Sequence, residues 1–200
     1  MSELSQLHEE VRVCPRCILS QSRKHAVPGD GPEQVEILLV GEAPGFHEDQ
    51  QGLPFVGPAG HLLDELLEGI GISRDKVYIT NVVKCRPPGN RDPQPEEIEA
   101  CRPYLERQIE MLKPKLIVTL GRVSTQQFFP NAKISQIRGR PRKVGGMVYY
   151  PVYHPAAALH QPRWRRTVEE DFQRIPEVLE RAPLLPDEQP ETAGEQLSLL

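Results

Sequence analysis

At 200 residues, 38% hydrophobic and 26% charged, the chain has the material for one packed domain that needs no disulfide staples. No apolar run approaches the ~20 residues of a membrane-spanning helix, and residues 1–7 lack the apolar stretch of a secretory leader. These features exclude a helical membrane protein and lead us to expect a monomeric, cytoplasmic protein in a reducing compartment. The net charge of −4 hides an asymmetry: residues 111–168 contain no Asp or Glu and carry +11, leaving −15 on the rest. So long an acid-free stretch points to a polyanion partner, bound locally and salt-sensitively.

In chain order, the first chemical signal is Cys14 and Cys17, a C-x2-C pair that Cys85 and Cys101 extend to C-x2-C-x67-C-x15-C. Four thiolates are what a tetrahedral zinc or a cubane iron–sulfur cluster requires, and the spacing leaves both open. Ligands this scattered converge only in a folded domain, unlike the two compact knuckles of a zinc ribbon.

Four β-rich runs follow, over residues 35–40, 77–82, 116–120 and 148–153. Pro151 cannot donate to a sheet ladder, so the last run is expected at a sheet edge. Between the runs lie helical patterns. Leu62, Leu63, Leu66, Leu67 and Ile70 recur at helical spacing, with Gly71 able to close that helix. Ile98, Cys101, Leu105, Ile109 and Leu112 form a second stripe, which Pro103 is expected to kink or split. Residues 121–129 and 166–181 are further helices, the second broken near Pro176. From Ala182 the chain turns Pro-rich and acidic, so the domain is expected to span residues 1–181 and a disordered tail residues 182–200.

Strands alternating with helices imply a parallel sheet with helices on both faces. Ligands of such sheets bind beyond the carboxyl ends of the strands. The segments there are residues 41–57, 81–95, 121–124 and 154–159. Glu42, Glu48 and Asp49 place carboxylates at this rim, where water or an electron-deficient carbon can sit. Asn81 offers both a donor and an acceptor to the edge of a nucleobase, and His154 adds an imidazole. The glycine-rich segment lacks the Gly-Lys-Ser/Thr ending of a phosphate loop. Convergence of Glu42, Asn81 and His154 on one edge is the expectation that carries function.

Gly41-Glu42-Ala43-Pro44-Gly45, a following Glu48-Asp49, Gly52-Leu53-Pro54-Phe55-Val56-Gly57, Thr80-Asn81-Val82-Val83-Lys84-Cys85, the four cysteines and His154-Pro155-Ala156-Ala157-Ala158-Leu159 appear in that order. Together they resemble the family 4 uracil-DNA glycosylases, iron–sulfur enzymes of base excision repair, over roughly residues 10–180. The resemblance implies a three-layer α/β/α domain around a four-stranded parallel sheet, in which Cys14, Cys17, Cys85 and Cys101 bind a [4Fe–4S] cluster. It implies that Phe55 stacks on a flipped uracil, that Asn81 reads its polar edge, and that Gly41, Ala43 and Gly45 contribute contacts. Glu42 would position or polarise water, and His154 would donate to the uracil oxygen as the base departs. Arg163, Arg165 and Arg166 would hold phosphates of uracil-containing DNA, with Leu159 as a wedge in the stack. Some relatives trap the sugar covalently through a His in a basic loop; residues 86–93 contain no His, so turnover is expected. The final Gln196-Leu197-Ser198-Leu199-Leu200 resembles the pentapeptide that docks repair proteins on the bacterial sliding clamp. The rival from another class is a non-catalytic iron–sulfur DNA-binding or redox module.

Overall fold

The apolar runs become five-residue strands because both their faces are buried, β1 at Ile37–Gly41, β2 at Val77–Asn81 and β3 at Leu116–Leu120. A computed structural model describes residues 2–188, with the side chains of His160 and Pro162 left aside. Two further strands, β4 (Arg142–Val144) and β5 (Met147–Val152), form a hairpin, and the two residues Asp187–Glu188 form β6. The sheet order is β2-β1-β3-β5-β4-β6. β2, β1, β3 and β5 are mutually parallel, with Gly41 opposite Asn81 at the carboxyl ends.

The four-stranded parallel sheet is therefore present as the centre of a six-stranded one. β4 was not legible as a strand because it is three residues long. Its signal was the turn: Gly145 and Gly146 both take positive φ (59° and 81°), the conformation of a two-residue hairpin loop. β5 is accordingly not an edge strand as Pro151 led us to expect. β4 pairs only Met147, Val148 and Tyr149, so Pro151 sits past the end of that pairing, and its carbonyl accepts the Gly139 N–H (2.8 Å).

The helices are α1 (Glu3–Arg12), α2 (Phe46–Gln51), α3 (Pro58–Glu68), α4 (Pro95–Leu112), α5 (Arg122–Gln126), α6 (Ile134–Ile137), α7 (Pro155–His160), α8 (Pro162–Gln173) and α9 (Ile175–Arg181). Side-chain alternation along the strands sorts them into two layers. Ile37, Leu39, Ile79, Val118 and Tyr150 face α3, α8 and α9, while Leu38, Val40, Tyr78 and Ile117 face α1 and α4. This is the α/β/α sandwich.

α4 is one helix through Pro103 rather than two. Tyr104, Leu105, Gln108 and Leu112 are all buried, and packing on this scale overrides a ~3 kcal/mol proline penalty. α3 stops at Glu68, and Gly71, at φ 74°, turns the chain two residues beyond the Gly69 cap. The break between α8 and α9 falls at Arg174, with Pro176 in the first turn of α9. The Pro-rich segment stays with the body as far as Glu188: Ala182 is buried, and β6 pairs with β4. The pentapeptide Gln196-Leu197-Ser198-Leu199-Leu200 lies outside the described residues. Among the described residues, no helix is long and apolar enough to cross a membrane.

Candidate active site

β1, β2 and β5 all end at one rim of the sheet, and the segments that follow them enclose an open cleft of about 650 Å³. Glu42, Ala43, Gly45, Phe55, Asn81, His154 and Leu159 all line it. The three residues expected to converge do so because parallel strands deliver their carboxyl ends to one side.

The floor is Gly41 beneath the Phe55 ring. A Cβ on Gly41 would lie 2.3 Å from Asn81 Oδ1 and 2.8 Å from the Phe55 ring, so only glycine fits between them. Phe55 itself has φ 52°, a left-handed backbone that costs an aromatic residue of order 1–3 kcal/mol. Its ring is buried and stacks with His154, centroids 5.5 Å apart at 23°. Gly60 lets α3 approach: a Cβ there would fall 1.9 Å from the Phe55 carbonyl oxygen.

Asn81 is buried, at 1% exposure, yet its Oδ1 has no hydrogen-bond partner. Buried polar atoms are paired in the great majority of cases, so this orphan acceptor sets Asn81 apart among the residues that line the cleft.

His154 precedes α7, and its Nδ1 accepts the Ala156 N–H at 3.1 Å. An accepting Nδ1 carries no proton, which leaves Nε2 as the donor of a neutral imidazole. Burial lowers the His154 pKa to about 4 against a smaller opposing pull from Glu48, so the ring is uncharged at neutral pH. Gly121, at φ 90°, allows this arrangement; a Cβ there would meet His154 Cβ at 3.0 Å.

Glu42 is half-buried, and its pKa is raised by desolvation and then by the Asp92 carboxylate, with Arg122 opposing. A carboxylate so tuned is a better proton acceptor than a solvated one. Glu48 lines the cleft, whereas Asp49 lies outside its lining. Glu48 accepts three backbone N–H bonds, and Asp49, buried, accepts the Lys24 N–H at 2.9 Å. The cleft is completed by residues the sequence did not single out, Phe46, His47, Pro87, Asn90 and Arg91. The Pro87-Pro88-Gly89-Asn90 run was a turn signal, and Asn90 does take φ 54°, but nothing local said which cavity the turn would wall.

Arg163, Arg165 and Arg166 lie on α8, outside the cleft lining. Arg165 pairs with Glu65 and Glu169, and Arg166 with Glu170, all on exposed surface. Arg163 has no carboxylate partner among the described residues; its guanidinium lies over the Trp164 ring at 5.1 Å.

Some distance along the rim, the four cysteines line one small cavity, with Arg16, Arg23 and Lys84 in its wall. Arg23 Nη1 donates to Cys85 Sγ at 3.1 Å and the Lys84 N–H to Cys101 Sγ at 3.3 Å. Burial pushes the Cys85 and Cys101 thiols up, Cys101 to about 11, with Arg23 opposing at Cys85 and Lys84 at Cys101; four thiols on one cavity are nonetheless a donor set that fits a thiolate-ligated metal group. Among the described residues, no group of three or more His, Cys, Asp or Glu side chains stands close enough to hold a metal ion.

The model of the uracil DNA glycosylase superfamily matches residues 28–179. The chain therefore belongs to the uracil-DNA glycosylase superfamily. Curated relatives include the type-4 uracil-DNA glycosylase of Sulfurisphaera tokodaii, 50% identical over 188 residues, covering 89% of this chain and 86% of that protein. The type-4 uracil-DNA glycosylase of Saccharolobus solfataricus is 48% identical over 94% of this chain and 91% of its own length. That of Thermotoga maritima is 43% identical, with 86% and 93% covered.

Proposed function

We propose that this protein removes uracil from DNA by hydrolysing its N-glycosidic bond, leaving an abasic site for base excision repair. The carrying observation is the unpartnered, buried Asn81 Oδ1 beside the Phe55 ring. An amide presents one acceptor and one donor side by side, the complement of the N3–H and O4 edge of uracil. Cytosine reverses that pattern, which supports selection at Asn81.

Uracil in a duplex must leave the stack, at a cost of a few kcal/mol, and stacking on Phe55 returns ~1–3 kcal/mol. As the bond from C1′ to N1 stretches, the sugar becomes positive and the base anionic. The His154 Nε2–H donates to the developing oxyanion of the base, a contribution of about 3–4 kcal/mol for such a donor. Glu42 accepts a proton from the water that adds to C1′, and uracil leaves with its electron pair on N1. Leu159, 42% exposed at the mouth, is placed to fill the gap the base leaves. Phosphates would be held by the acid-free stretch, with Arg163 its most available cation on α8.

Cys14, Cys17, Cys85 and Cys101 would hold a [4Fe–4S] cluster, a reading that rests on the resemblance to the family 4 enzymes and is supported by the one cavity that all four line. When bound, it supplies a covalent link between the segment after α1, the end of β2 and α4. The chemistry is assigned to the cleft, so the role of the cluster is structural. The test is to incubate the holoprotein with uracil-containing single- and double-stranded oligonucleotides and cleave abasic sites with alkali. Strand cleavage above a protein-free control is expected; its absence would favour a non-catalytic DNA-binding module.

A further inference from the structure

The Phe55 backbone is strained, and two side chains hold it from opposite sides. Glu48 Oε1 accepts the N–H groups of Val56 (2.9 Å) and Gly57 (2.8 Å), the two residues that follow Phe55. Arg74 Nη1 donates to the Phe55 carbonyl (3.0 Å), and Nη2 donates to the Pro54 carbonyl. Arg74 is itself oriented by Asp64 at 2.8 Å. The remaining oxygen of Glu48 accepts the N–H of Gly45, the residue that caps α2, at 3.1 Å. One carboxylate thus joins the start of α2 to the turn after Phe55.

We propose that Glu48 is a positioning residue which, with Arg74, locks the turn of residues 54–57 so that the Phe55 ring is preorganised for the pyrimidine. A strained conformation persists only when its surroundings over-determine it, and here they supply four hydrogen bonds across four residues. Without Glu48 the turn relaxes toward negative φ, and the ring leaves its place over Gly41. Its three bonds to N–H donors occupy the carboxylate, so Glu48 acts through Phe55 rather than on water. A glutamine at this position must turn its NH2 toward at least one of the same donors, so Glu48→Gln is a partial loss.

The inference rests on the uracil-glycosylase reading, and the experiment separates the two. Single-turnover uracil release and inhibition by free uracil are measured for the holoprotein and for Glu48→Gln, Glu48→Ala, Arg74→Met, Phe55→Ala and Glu48→Ala/Phe55→Ala. Each is assayed below its own melting temperature. Wild-type protein that neither releases uracil nor is inhibited by it would overturn the functional reading itself. Given activity, Glu48→Ala should weaken uracil inhibition roughly 5- to 150-fold, the equivalent of the stored strain, with Glu48→Gln between. In the Phe55→Ala background, Glu48→Ala should add nothing, because its target is gone. Multiplicative losses in the double variant, or Glu48→Ala inhibited as strongly as wild type, would overturn the positioning role. If the alanine variant does not fold, Glu48→Gln and its combination with Phe55→Ala give the same comparison.

Discussion

Replacing Asn81 by Ala separates a ligand-reading amide from a structural brace, because the two roles move stability in opposite directions. In the free protein Asn81 Oδ1 is buried with no partner, a state that costs about 1–3 kcal/mol. Truncation removes that cost but loses about 1 kcal/mol of side-chain packing, so the net change in stability is between about 0 and +2 kcal/mol. For a chain of this length, the melting temperature should stay level or rise by up to roughly 4–8 °C. Binding moves the other way. Two hydrogen bonds to the base, each worth about 0.5–1.5 kcal/mol, correspond to a loss of roughly 5- to 150-fold in uracil release. Scanning calorimetry and single-turnover excision on a uracil oligonucleotide read both quantities from one preparation. A fall of several degrees with excision unchanged would refute the reasoning and return Asn81 to a bracing role.

Other predictions follow from the same rim. Asp92 raises and Arg122 lowers the Glu42 pKa, so the acid limb of kcat/KM should move down in Asp92→Asn and up in Arg122→Gln. The pH–rate profile checks the sign of each shift. His154 is held near pKa 4 in the fold but titrates near 6.5 when unfolded, so the unfolded chain binds the extra proton between those values. Stability should therefore decline as pH falls from 6.5 toward 4, and urea titrations of His154→Gln should show a shallower decline. Cys85→Ser should bleach the visible absorbance expected of a cluster and lower the melting temperature, whereas Glu42→Ala should slow base release with the absorbance intact. Deletion of residues 196–200 should abolish pull-down by a bacterial sliding clamp and leave cleavage of short oligonucleotides unchanged.

How much could be read before folding depends on the range of the interaction. The four parallel strands were legible because each is a run of apolar residues buried on both faces, and Pro176 and Gly71 marked real breaks for local reasons. Pro151 misled because a missing N–H matters only where a partner would have used it, and Pro103, expected to kink or split its helix, did not split it. Pro151 lies past the end of the short strand beside it, and Pro103 sits in a helix whose buried face offsets the lost bond. Glu48 illustrates the same limit at the site. By sequence it was one carboxylate among three at the rim; its three N–H partners lie three, eight and nine residues away, brought together by a turn.

By itself, then, the sequence determined which residue types are present at the strand ends, that four thiols exist for a metal group, and that one stretch of the chain lacks acids. Those are properties of composition, order and local periodicity. Only the tertiary structure decided that Asn81 Oδ1 is sealed without a partner, that the His154 proton sits on Nε2, and that two of three basic residues on α8 are engaged by carboxylates. Partnership, burial and field are relations between segments distant in the chain, and they acquire values only when the sheet brings its strand ends to one rim.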